Sequence, residues 1–591
     1  MFRPIYSIAF ISVLAAIAVP SVHSAALTTV AERSGFKDTG RYDEVIALCA
    51  AYQKAYPAAV RCINFGRTPE GRPMMALIAT KTTVKTAEDA RKQGIPTVLV
   101  QGGIHAGEID GKDAGFLALR EALDDKSANA ALRKQVLIFV PVFNIDGHER
   151  FGKWNRPNQV GPTEMGWRTT GQNYNLNRDY AKADALEMQA MLRLINEWDP
   201  IATIDLHVTD GAKFEHDIAI MVEPVHAGEA GMRAAGRALR DGVIADLAAA
   251  GSLPLPFYPS FTVGDDPQSG VVDGVSTPRF STGYFHTRNR MGMLVETHSW
   301  KDYATRVRST HVTVKAVLKA IANNGREWLK AAQIADVRAT AVGGKPVALS
   351  YKATEKSRTI DFKGYEYTRT MSEVSGALMT RYDDKKPQIW KLTVRDDVQP
   401  NLIVTAPKGG YVVAAAHAGW VGEKLKQHSI QFQKITASSD KVALETFRAE
   451  AANLDTKSNE GHQRISLKGD WKTETRAVAA GSLFVPIAQA KSTLVMSLFE
   501  PAAPDSLVAW GGFNTAFEQK EYMEDYVAED VAREQLAADP ALFIEFMHKI
   551  TTDDTFAKNP KARLEFFARR HSSWDERFNL YPVMRSAVAL R

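Results

Sequence analysis

Cysteine is nearly missing from this chain: two occur in 591 residues, Cys49 and Cys62. A metal site built from cysteine thiolates is therefore excluded. The two lie close together near the start of the mature chain. One disulfide, if the chain is exported, and two buried thiols are both open readings. Long apolar runs are also missing beyond the N-terminus, so no later segment reads as a membrane span. Charge of one sign never accumulates. The net charge is +5, and no run of Lys or Arg dominates a face, which argues against nucleic acid or an anionic membrane as the main partner. With 45% hydrophobic and 24% charged residues, the composition is that of a folded chain without long disorder. The length exceeds what one hydrophobic core usually supports, so more than one domain is expected.

Met1–Ser24 has the pattern of a secretory signal. Arg3 is its lone basic residue, an uncharged apolar stretch runs from about Ile8 to Val19, and small residues precede Ala25. That apolar core is shorter than the roughly 20 residues a membrane helix needs. A retained signal anchor is the alternative. The expectation is an exported chain, periplasmic or secreted, with no membrane association after signal removal.

What is present is organised around Thr97–Asp110, TVLVQGGIHAGEID. Thr97–Val100 is a short apolar run ending in Gly102-Gly103, the pattern of a buried strand that leads into a tight loop. His105 and Glu108 follow at once, before a helical pattern through Ala114, Leu117, Ala118 and Leu123. An imidazole and a carboxylate three residues apart at a strand end can both face one divalent cation, and zinc takes such ligands. Alone, HxxE is common by chance.

Around this stretch strands alternate with helices up to about residue 325. Tyr42–Tyr52 has helical periodicity, and Ala59–Phe65 and Met74–Thr80 read as strands; pairing that helix with the first strand would bring Cys49 near Cys62. Val136–Phe143, Ile201–Leu206, Ile218–Val222 and Met293–Val295 read as buried strands. Ala185–Trp198 reads as a helix with Met188, Met191, Leu192 and Ile195 on one face. The fold class expected is α/β: a mixed, mostly parallel sheet with helices on both faces, whose ligands sit beyond the strand ends. Polar residues fall at those ends. His207 closes TIDL, Asn144-Ile145-Asp146-Gly147 closes Val136–Phe143, and Glu296 closes Met293–Val295. Between them lies GWRTTGQNYNLNRDY, with Arg168 and Asn177-Arg178.

In this order, HxxE, a W-R step, N-R, a strand-end His and a strand-end Glu, the chain resembles the M14 (carboxypeptidase A-like) zinc metallocarboxypeptidases over roughly residues 40–325. The resemblance implies a carboxypeptidase-like fold, one zinc ion held by His105, Glu108 and His207, and Glu296 as general base. It implies Arg168 as the group that polarises the scissile carbonyl. Asn177 and Arg178 would grip the free C-terminal carboxylate of a peptide substrate. Asn175 stands where the family often has Asp behind a ligand imidazole. Tyr284, in FSTGYFHTRNR, is the nearest match to the family's substrate tyrosine, and a place in the core beside Phe280 and Phe285 is its other reading. His298 shares the face of Glu296 if that strand continues. Two other functions stay in view: an amidase or deacylase acting on acyl amino acids or cell-wall peptides, and an inactive binding protein, which the presence of all four of His105, Glu108, His207 and Glu296 disfavours.

The expected organisation is a signal (1–24), a catalytic domain (25–340), a β-rich accessory domain (341–440) and a mixed C-terminal region with helices (441–591). Thr359–Phe362, Gln388–Val394 and Leu402–Thr405 read as strands, with Tyr411–Val421 and Ile430–Ile435 extending them. Tyr522–Ala538 and Ala541–Ile550 read as helices. No glycine-rich phosphate loop or nucleophile elbow occurs after residue 340. The histidines there are scattered, and neither the role of that region nor an oligomeric state is legible.

Overall fold

The computed structural model describes residues 27–124 and 130–590. The expected signal segment lies outside them. An eight-stranded sheet forms the heart of the first half, built from β1 (Val60–Arg67), β2 (Pro73–Ala79), β3 (Thr97–Gly102), β4 (Val136–Val140), β5 (Ala202–Val208), β6 (Ile218–Glu223), β7 (Pro254–Leu255) and β9 (Met291–Thr297). Their spatial order is β1-β2-β4-β3-β5-β9-β6-β7. The central run β4-β3-β5-β9 is parallel throughout, while β1 pairs antiparallel with β2, β2 with β4 and β6 with β9, and β7 runs parallel to β6. β3, β4 and β5 are buried along their whole length: β4 is an unbroken apolar run, while β3 and β5 carry the buried polar Gln101, Asp205 and His207 toward their ends.

Helices cover the sheet. Leu186–Trp198 turns Met188, Met191, Leu192 and Ile195 inward, as the periodicity predicts. Asp110–Leu123 and the long helix Tyr303–Ala339 pack against each other, and the latter also against Ala230–Ala249. Cys49, on the helix Tyr42–Ala55, is disulfide-bonded to Cys62 on β1.

The second half is largely β. β10 (Pro346–Ala353) pairs with β13 (Val398–Thr405). β11 (Arg358–Met371) and β12 (Leu378–Arg395) form a long hairpin, and β12 takes up β8 (Val271–Val272) from the first half. A six-stranded sheet follows, from β14 (Gly410–Val413), β15 (Gln433–Lys434), β16 (Ser439–Leu454), β17 (Ile465–Val478), β18 (Leu483–Pro486) and β19 (Val583–Ser586). It draws strands from both sides of residue 440, so a boundary there runs through one sheet. Tyr411–Val421 is a strand only to Val413; Ala418–Gln427 is a helix, because Val421 and Leu425, four residues apart, are buried on one face. The predicted helices appear as Asp525–Ala538 and Pro540–Thr552. Among the described residues no helix is long and apolar enough to cross a membrane.

Candidate metal centre and pocket

β3 ends in a turn that needs glycine. Gly103 has φ +62°, and a Cβ on Gly102 would meet the Pro141 carbonyl oxygen at 2.7 Å. The turn brings His105 and Glu108 beyond the strand end, where Glu108 N–H donates to the His105 carbonyl at 2.9 Å. β5 delivers His207 to the same place, and β9 sets Glu296 directly beside it, since His207 and Glu296 are register partners. Four side chains far apart in the sequence are thus brought together by three neighbouring parallel strands, β3, β5 and β9.

His105, Glu108 and His207 are buried, and one ligand atom from each falls within 4.8 Å of the others. His105 Nδ1 lies 3.0 Å from Glu108 Oε1, and His207 Nδ1 lies 3.0 Å from Glu108 Oε2. The far nitrogens are held from behind. His105 Nε2 is 3.1 Å from Asn175 Oδ1, and His207 Nε2 is 2.8 Å from Asp205 Oδ2. The Asn175 oxygen behind His105 Nε2 keeps the proton there and leaves that ring's Nδ1 lone pair facing the carboxylate, and Asp205 sets a negative charge behind His207. Two imidazole nitrogens and a carboxylate converging in this way fit zinc, which takes three protein ligands of this kind in catalytic sites.

The charges of the group act strongly on one another. Burial works against the Glu108 carboxylate, but Arg156 at 2.9 Å and the two imidazoles hold its pKa well below the usual range. Burial likewise opposes a charged His207, and Asp205 outweighs it, so that pKa stands well above the ordinary histidine value. Burial lowers His105 to about 4. Glu296 is pushed up to about 8, by burial first and by the negative Glu108 and Asp205 against the opposing His207. Its Oε2 is buried without a hydrogen-bond donor among the described residues.

A cavity of about 400 Å³ opens beside these groups, lined by His105, Arg168, Asn177, Arg178, Tyr258 and Glu296 and running on to Leu294 and Met221. Arg168 Nη1 lies 3.4 Å from Glu108 Oε1. The Arg178 guanidinium sits 4.4 Å above the Phe280 ring and donates to the Asn177 carbonyl at 2.7 Å. Burial, with Arg168 and Arg279 near, lowers its pKa. Asn177 is anchored by the Ser281 N–H, which donates to its Oδ1 at 3.3 Å.

The structure brings together every predicted site residue except one. Tyr284 is wholly buried on the short helix Ser281–His286, its hydroxyl 2.9 Å from His428 Nδ1 and its ring 5.4 Å from that of Tyr180. It does not face the cavity, so its assignment to substrate is corrected; it packs in the core because it shares that helix with buried Phe285. Tyr258 lines the cavity instead, its pKa raised by Glu296 and by burial. His298 is packed, its ring stacked 3.9 Å from that of Phe214. Arg156 and Asp205 were not singled out from the sequence. Asp205 carried a signal, as it precedes His207 by two residues and so shares its strand face; Arg156, in an irregular loop, carried none.

Residues 45–214 match the family model Peptidase_M14, zinc carboxypeptidase. That stretch includes His105, Glu108, Arg168, Asn177, Arg178 and His207, and stops short of Glu296. The carboxypeptidase B of Helicoverpa zea is 28% identical over 131 residues, 21% of this chain and 29% of that protein. The match thus spans under a third of that relative's length. Among solved structures, the carboxypeptidase A of Helicoverpa armigera is 14% identical, with a TM-score of 0.35 over 50% of this chain and 74% of that one. The metallo-carboxypeptidase of Burkholderia cenocepacia is 16% identical, with a TM-score of 0.35 over 48% and 69%.

Proposed function

With residues 45–214 matching the zinc carboxypeptidase family, we propose that this chain is a zinc metallocarboxypeptidase that removes residues from peptide C-termini. The observation that carries the reading is the register of β5 and β9. It sets Glu296 beside the His105–Glu108–His207 group, at the mouth of a cavity whose wall carries Arg168, Asn177 and Arg178.

The metal, when bound by His105, Glu108 and His207, supplies Lewis acidity and makes water acidic enough to ionise near pH 7. The chain does the rest. Asn177 and the Arg178 guanidinium hold the terminal carboxylate of the peptide, the latter through paired hydrogen bonds. Tyr258 borders the same space. Glu296 takes the proton of the attacking water and passes it to the departing amine. Arg168 donates to the oxygen on which negative charge develops. The Cys49–Cys62 disulfide supports export to an oxidising compartment, periplasmic or extracellular.

A comparison of one peptide with a free and with an amidated C-terminus tests the reading. Single residues should be released from the free form, and a chelator should stop the reaction. Equal cleavage of the amidated form, or cleavage of acyl amino acids alone, contradicts it.

A further inference from the structure

The β16–β17 hairpin ends in the two-residue turn Asn459-Glu460-Gly461-His462, closed by paired backbone bonds of 2.9 Å between Asn459 and His462. Both central residues have positive φ, +49° for Glu460 and +80° for Gly461. Hairpins with this geometry take Asn or Gly at the first central position, because a longer side chain is strained there. A glutamate held in that conformation points to a task for its side chain.

The side chain reaches back 285 residues in sequence to the catalytic half, where the Asn175 N–H donates to Glu460 Oε2 at 3.1 Å. Asn175 is a junction. Its own Oδ1 faces His105 Nε2 at 3.1 Å and accepts the Asn177 N–H at 3.1 Å. Two residues further on come the groups that line the cavity, Asn177 and Arg178. The turn is pinned to the same segment once more, through His462 Nε2 and Asp184 Oδ2 at 2.7 Å. Asp184 is held in turn by Lys424 of the C-terminal half at 2.8 Å. Beside Phe280, the ring under Arg178, the Arg279 N–H donates to Asp505 Oδ2 at 2.9 Å.

We propose that Glu460 is a positioning residue supplied by the C-terminal half, which fixes the Asn175 backbone and thereby sets Asn177 and Arg178 to receive the substrate carboxylate. The inference rests on the carboxypeptidase reading for its effect on substrate, but not for the clamp itself. The second half is then part of the active site. The clamp holds the Asn175 backbone, whose continuation carries the substrate-binding Asn177 and Arg178, so its loss raises KM and spares kcat.

Glu460→Ala and Glu460→Gln test this, the second keeping an acceptor for the Asn175 N–H. Hydrogen exchange of the segment 174–178 should quicken at least about fivefold in Glu460→Ala and stay within about twofold of the parent in Glu460→Gln. With a free-terminus peptide, KM should rise at least about fivefold in Glu460→Ala while kcat holds within about twofold, and Glu460→Gln should restore KM. Zinc content and the affinity for acetohydroxamate, a metal-directed ligand without a carboxylate, should not move. Unchanged exchange in Glu460→Ala overturns the clamp. Faster exchange with unchanged KM overturns its substrate role, as does loss of zinc along with acetohydroxamate affinity. If the parent cleaves no free-terminus peptide, the carboxypeptidase reading fails and substrate positioning falls with it, while exchange still decides the clamp.

Discussion

At the residue scale, each imidazole of the proposed metal site has its own oxygen behind it, and the two differ. Asn175 behind His105 is neutral, whereas Asp205 behind His207 carries the negative charge and is itself fixed by Ser281 Oγ at 2.6 Å and Gln101 Nε2 at 3.0 Å. Asp205 should therefore matter more to the metal. Asp205→Asn is expected to weaken zinc binding by about tenfold or more in competition with a chelator, the usual scale for such partners. An unchanged affinity would contradict the assignment. His105→Ala with His207→Ala should abolish bound zinc, measured by elemental analysis, while the chain still folds. The candidate site was legible because HxxE with His105 and Glu108, the strand-end His207 and the strand-end Glu296 each leave a local pattern. Tyr258 left none: its loop is irregular, and only the fold shows which tyrosine, 258 or 284, faces the cavity.

At the scale of elements, β3, β5 and β9 were readable as short apolar strands, and their polar ends as the places where side chains leave the sheet. The helix Leu186–Trp198 was readable too, yet it hides a conflict. Glu187 is wholly buried on it, and neither carboxylate oxygen finds a partner from another residue among the described ones. Burial, aided by Asp146 and Asp179, raises its pKa from 4.5 to about 7. Below pH 4.5 the group is neutral folded or unfolded and costs nothing. Between 4.5 and 7 the unfolded chain gives up the proton first, so stability falls as pH rises, and above 7 the whole cost stands. Its upper bound is about 3 kcal/mol, from about 1.4 kcal/mol per pKa unit. Glu187→Gln should raise the unfolding temperature at pH 8 and leave it unchanged near pH 4; an equal shift at both would show that ionisation is not the cause. The strands β16 and β17 escaped sequence reading because they are largely exposed and polar, with Lys, Asp and Glu interrupting any alternation.

At the scale of the whole molecule, the halves share one continuous apolar cluster, from Leu27 through the eight-stranded sheet to Val583. Polar contacts cross it, among them the buried Tyr284 hydroxyl to His428 and the half-buried Asn196 amide to the Gln427 carbonyl. Such contacts were invisible in the sequence because they join segments more than a hundred residues apart. A chain ending at residue 340 would expose the apolar face that Val413, Val421 and Leu425 help to cover. It is expected to aggregate or unfold well below the parent in a thermal melt. A monomer of unchanged melting temperature would show that the second half is dispensable to the first.

The central claim is that Glu296 handles the proton and Glu108 holds the metal, though both are buried glutamates, the first the register partner of His207 and the second 3.0 Å from it. Glu296→Gln keeps the shape and removes the basic oxygen. The deciding measurement is kcat together with zinc content for this variant on a free-terminus peptide. A fall in kcat of at least about a hundredfold with zinc fully retained is the predicted result. Near-parental kcat, or loss of the metal, would contradict it.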